Sequence, residues 1–102
     1  MYKIIVVALT RGTRNKTFNE CLVSLQALTN IGGYSIDNLV VENNSQPDEH
    51  VKKVISYYDN NDKCVKHLLE PMSGILHARN AALNFAKAQW YTYLAFIDNA
   101  FV

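Results

Sequence analysis

The sequence predicts an α/β domain: three layers, α/β/α, around a mainly parallel sheet, with the element order β-α-β-α-β-α-β. Three observations lead there. Short apolar, β-branched runs alternate with longer stretches of helical periodicity. Each apolar run ends in a polar loop. The first run, KIIVVAL from Lys3 to Leu9, is apolar without alternation, as suits a central strand covered on both faces. Alternating elements of this kind close into a parallel sheet with right-handed crossovers. At 102 residues, with no repeat, linker or low-complexity tract, residues 1–102 are one domain.

The elements follow in order. After the first strand, Thr10 to Lys16 is a polar loop without periodicity. Thr17 and Glu20 have the spacing of a capping box, and Phe18, Cys21, Leu22, Leu25 and Leu28 then mark one helical face. Asn30, Gly32 and Gly33 end that helix, because Asn and Gly tolerate the left-handed conformation. Ile36 to Val41 is the second strand, and Glu42 to Ser45 the polar turn after it. Ser45 or Gln46 is the expected cap of a second helix, with Pro47 in its first turn and Val51, Val54, Ile55 and Tyr58 on its buried face. Asp59 to Asp62 breaks it. Cys64 to Leu69 is the third strand, and Glu70 to Ser73 a loop. A third helix starts at Ser73 or Gly74, with Ile75, Ala78, Ala82, Leu83 and Ala86 inward. Tyr91 to Ile97 is the fourth strand, which delivers Asp98 to its carboxyl end.

Composition narrows the function classes. The chain is 49% hydrophobic and 19% charged, which excludes a disordered tail. Its net charge of +1 leaves no overall electrostatic footprint for duplex DNA or anionic lipid, although a local basic cluster stays open. The run Ile4 to Leu9 is far too short to cross a bilayer and lacks the flanks of a signal peptide. Cys21 and Cys64 match no metal-ligand spacing and read as reduced, packed thiols of a cytoplasmic protein. His50, His67 and His77 are scattered.

In an open parallel sheet, ligands bind beyond the carboxyl ends of the strands. That places candidate chemistry in Thr10 to Lys16, Glu42 to Ser45, Glu70 to Gly74 and Asp98 to Ala100. Cationic groups and a helix N-terminus there suit phosphate, and carboxylates suit a base, a ribose or a divalent ion. Neither GxGxxG nor GxxxxGK[ST] follows the first strand, so the dinucleotide fingerprint and the P-loop are both absent.

Five segments carry a family resemblance: IIVVALTR, FNECLVSLQAL, LVVENNSQPD, SGILHARNAALNFAK and YLAFIDNAF. In order and spacing they resemble the N-terminal, nucleotide-binding half of a family 2 glycosyltransferase with the GT-A fold, a Rossmann-like architecture. SGILHARNAAL together with YLAFID is the most specific part. The resemblance implies transfer of a sugar from a nucleotide-diphosphate donor to an acceptor hydroxyl. It implies nucleotide-binding roles for Thr10, Arg11, Glu42, Asn44, Gly74, Arg79 and Asp98. Glu42 stands where the family has Asp, and Asp98 matches the first Asp of its DxD motif.

The departures are specific. The family's motif ends in an Asp that ligates Mn²⁺ or Mg²⁺, and here that position is Ala100, with Asn99 before it and Phe101 after it. A methyl group cannot coordinate a hard cation, which leaves Asp98 alone a poor metal site. The family's acceptor site and catalytic base lie beyond DxD. The chain is therefore expected to be a truncated domain, inactive by itself, with no catalytic residue assigned. The alternative is a non-catalytic α/β module that binds a nucleotide or a protein and has lost its metal site. Self-association, or a missing C-terminal half, is expected because the fourth strand carries Tyr91, Tyr93, Leu94, Phe96 and Ile97. Trp90 and the YTY tyrosines read as packing residues.

Overall fold

The computed structural model describes residues 2–11, 34–60 and 65–97. Its elements are β1 (Tyr2–Thr10), β2 (Tyr34–Glu42), α1 (Glu49–Asn60), β3 (Val65–Leu69), α2 (Ile75–Ala88) and β4 (Tyr93–Ile97). The four strands form one sheet in the order β3-β2-β1-β4. All three pairings are parallel, with Tyr2 opposite Tyr34, Ile4 opposite Tyr93 and Asn38 opposite Val65. The α/β class and the parallel sheet read from the sequence are the observed ones. The expected helix after Thr17 lies outside the described residues.

β1 is central because both its faces are apolar. Val6 and Ala8 join Val40, Val65, Val51 and Ile55 on the α1 side. Ile5, Val7 and Leu9 join Leu39, Val41 and three alanines of α2 on the other. Those alanines, Ala78, Ala82 and Ala86, recur every four residues and are buried. With only a methyl group at each, the α2 backbone can approach the sheet closely. Leu83, expected inward, is 50% exposed, because the alanine stripe already occupies the sheet-facing side. Ile75, also expected inward, is 37% exposed.

The helix boundaries differ from the sequence reading in physically simple ways. The cap of α1 is Asp48, not Ser45 or Gln46: its Oδ1 accepts from the His50 and Val51 backbone N–H groups at 2.9 and 3.1 Å. Pro47 accordingly precedes the cap. At the other end of the chain β4 begins at Tyr93, because residues 89–91 terminate α2. The Tyr91 N–H bonds the Ala86 carbonyl at 3.0 Å and the Trp90 N–H bonds that of Lys87 at 3.3 Å. This is a Schellman closure, with Trp90 in its left-handed position at φ 61°. Tyr91 then packs as expected, stacking on Phe85 and donating to Asp37 Oδ2 at 2.5 Å. Trp90 and Tyr93, expected to pack as well, are 86% and 54% exposed.

Candidate functional site

β1 and β2 end side by side, with Thr10 opposite Glu42, and two backbone bonds extend the ladder past them. The Asn43 N–H reaches the Thr10 carbonyl at 2.7 Å, and the Glu70 N–H reaches that of Glu42 at 2.9 Å. Three loops therefore leave the sheet from one rim. Strand alternation then sends Glu42 to the α1 face, with Val40, and Asn43 to the α2 face, with Val41.

Glu42 is fully buried, and its carboxylate is used inside the protein. Oε2 accepts from the Asp48 N–H at 2.6 Å and from Asn44 Nδ2 at 3.0 Å. Oε1 lies 2.9 Å from His67 Nε2; a carboxylate only accepts, so Nε2 carries the proton. Buried charge needs such compensation. Glu42 thereby ties the 43–48 loop and the cap of α1 to the sheet.

Asn43, only 6% exposed, does the corresponding work on the other face. Its Nδ2 donates to the Glu70 and Met72 carbonyls at 2.9 and 2.7 Å, and its Oδ1 accepts from the Gly74 N–H at 2.9 Å. One side-chain amide thus holds the whole loop that leads into α2. Asn43 is the residue the sequence reading missed. The available signal was alternation, which turns it toward α2 and Asn44 away.

Gly74 is the N-cap of α2 at φ 126°, ψ 146°, a conformation essentially restricted to glycine. A Cβ there would meet nothing closer than His77 Cδ2 at 3.7 Å, so the constraint is backbone strain and not space. Gly74→Ala is expected to cost about 1–3 kcal/mol, read as a lower denaturation midpoint with an unchanged m-value.

Between these loops opens a cleft of about 290 Å³, lined by Arg11, Asn43, Asn44, Ser45, Pro71 and Ser73. Ser73 immediately precedes the cap of α2, so the positive end of that helix dipole borders the cleft, and no acidic residue stands in its first turn. Arg11 supplies a fixed cation, and the hydroxyls and amides supply hydrogen bonds. This donor set suits a phosphorylated ligand.

The expected site residues divide between two places. Arg11 and Asn44 line the cleft; Thr10 and Gly74 shape it from beneath and beside. Glu42 lies under it, buried. Arg79, one turn into α2, has its guanidinium 5.5 Å from the Phe96 ring centroid, toward β4. Asp98 and Ala100, like Arg14 and Lys16, lie outside the described residues. Among the described residues no three His, Cys, Asp or Glu side chains gather as metal ligands. The nearest carboxylates are engaged: Glu42 as above, and Glu70 Oε2 by the Met72 N–H at 2.9 Å. The described donors therefore do not fit a divalent ion. Among them, too, no helix is long and apolar enough to cross a membrane.

A parallel sheet with helices on both faces and a polar cleft at its carboxyl rim defines a Rossmann-like α/β domain. Residues 3–99 match the family model described as glycosyl transferase family 2, and the chain belongs to that family. No curated protein and no solved structure matches it significantly.

Proposed function

We propose that this chain binds the nucleoside diphosphate part of a sugar donor in the 290 Å³ cleft, as the donor-binding portion of a glycosyltransferase. The observation that carries the proposal is the joint presence of Arg11, Ser45, Ser73 and the α2 N-terminus around one cleft at the carboxyl rim, in a family 2 chain. In the reaction, an acceptor hydroxyl oxygen forms a bond to the anomeric carbon as the bond to the diphosphate breaks. The proton of the hydroxyl goes to a base, which no described residue supplies. Arg11 and the helix dipole stabilise the charge gathering on the leaving diphosphate. Thr10 and Asn44 flank the nucleoside side, Gly74 allows close backbone approach, and Arg79 completes the phosphate end; the nucleotide-binding role of Asp98 is the one the family resemblance implies. Glu42 acts through the loop it anchors. The reading places the chain in the cytoplasm, with Cys21 and Cys64 reduced.

The second reading, a binding module without catalysis, is favoured by one observation: Ala100 stands where the family's metal-binding Asp belongs. Titration calorimetry with UDP, GDP, ADP and TDP tests both. Binding of at least one, weakened roughly tenfold or more by Arg11→Ala, is expected, since a charge-assisted contact contributes about 1.5–3 kcal/mol. Affinity should change little with Mn²⁺, and Ala100→Asp should make it metal-sensitive. No binding of any nucleoside diphosphate at millimolar concentration would sink the proposal.

A further inference from the structure

Three hydrogen bonds meet on the buried carboxylate of Glu42, and they differ in what stands behind the donor. The Asp48 N–H, at 2.6 Å, belongs to the backbone at the cap of α1. His67 Nε2, at 2.9 Å, comes from β3, an outer strand of the sheet. Asn44 Nδ2, at 3.0 Å, comes from a half-buried loop side chain that lines the cleft. A line of contacts therefore runs from the sheet edge, through a fully buried acid, to the wall of the cleft.

Strand register builds this line. His67 pairs with Val40 and Leu69 with Glu42, so His67 stands diagonally from Glu42 on the α1 face, with Val65. At the other end, a carboxylate only accepts, so Asn44 is held by its nitrogen. Its carbonyl oxygen is left to meet a ligand.

His67 gives Oε1 its one hydrogen bond among the described residues. Without that donor a buried, charged oxygen is left bare, which is costly. The carboxylate then turns to share the donors that remain. The Asp48 N–H is fixed in the backbone. The donor that gives way is Asn44, whose bond is the longest of the three and whose side chain can turn into solvent. The loop before α2 is built separately, because Asn43 holds it from the opposite face of β2.

Resting on the nucleotide-binding reading above, we propose that His67 is a positioning residue of the nucleotide site, which through Glu42 fixes Asn44 against the nucleoside. It does not line the cleft, and it leaves the diphosphate end untouched. Calorimetric titration with inorganic pyrophosphate, and with whichever of UDP, GDP, ADP and TDP binds the parent best, separates the two ends. His67→Asn, whose amide stops short of the Nε2 position, should weaken the nucleoside diphosphate about three- to tenfold, the contribution of one hydrogen bond, and leave pyrophosphate unchanged. His67→Gln, whose amide nitrogen reaches as far as Nε2, should restore the parental affinity. Asn44→Ala should weaken the nucleoside diphosphate to a similar degree, and adding His67→Asn to it should weaken it no further. Urea denaturation checks that each variant is folded, and His67→Leu, which has no donor, repeats the test if His67→Asn is not. An equal loss of pyrophosphate would make His67 a purely structural partner of Glu42 and overturn the proposal. So would failure of His67→Gln to restore binding, or additive losses in the double variant. A parent that binds none of these nucleoside diphosphates overturns the nucleotide-binding reading and this inference with it. A parent that binds one, with the same affinity in His67→Asn, overturns this inference alone.

Discussion

Glu42→Ala is expected to destabilise the protein by about 3–5 kcal/mol, a large part of the roughly 5–15 kcal/mol that holds a domain together. Two effects add. Removing a fully buried side chain leaves a cavity, and it strands three donors: the Asp48 N–H, Asn44 Nδ2 and His67 Nε2. Losing the Asp48 contact also loosens the cap of α1, since the same residue accepts from His50 and Val51. Glu42→Gln, of nearly the same volume, keeps one acceptor and should cost less than half as much. Urea denaturation of both variants checks this. Equal losses for Ala and Gln would show that charge, and not the anchoring of the loop, is what the site requires.

Asn43→Ala is expected to cost about 2–3 kcal/mol and to abolish nucleotide binding, because the loop that forms one wall of the cleft loses its only side-chain tie to β2 among the described residues. Asn43→Asp is the more telling variant. Its carboxylate can still accept from the Gly74 N–H, yet it turns a second oxygen toward the Glu70 and Met72 carbonyls. It should therefore be no better than alanine, despite its nearly identical shape. An Asp variant with parental stability and affinity would contradict the donor assignment of Nδ2. Only an amide offers two donors and one acceptor in this geometry.

Much of this architecture was legible in the sequence, because periodicity alone separates KIIVVAL from the helical stretch around Ala78 and Ala82. The same reasoning placed Glu42 at a carboxyl rim, where it stands. It failed where inward and outward depend on tertiary packing. Leu83 looked like core because leucine usually is, but small residues had already claimed the sheet-facing side of α2. Asn43 and Asn44 are chemically identical neighbours, and only the pleat of β2 tells them apart. Trp90 was illegible for a different reason. Helices commonly end at glycine, and QWYT holds none, so no local signal marks a left-handed residue there.

The pairing of Ile4 with Tyr93 carries a consequence for synthesis. β1 lies inside the sheet, yet the strand that completes its second edge leaves the ribosome after the other three. Until then the nascent chain holds IIVVAL with one side of its backbone unsatisfied and no charge among those side chains. Every strand pair in this sheet waits on a crossover, so local contacts do little to hasten closure. Translation of this chain is thus a race between the emergence of Tyr93–Ile97 and the capture of β1 by another nascent copy or by a chaperone.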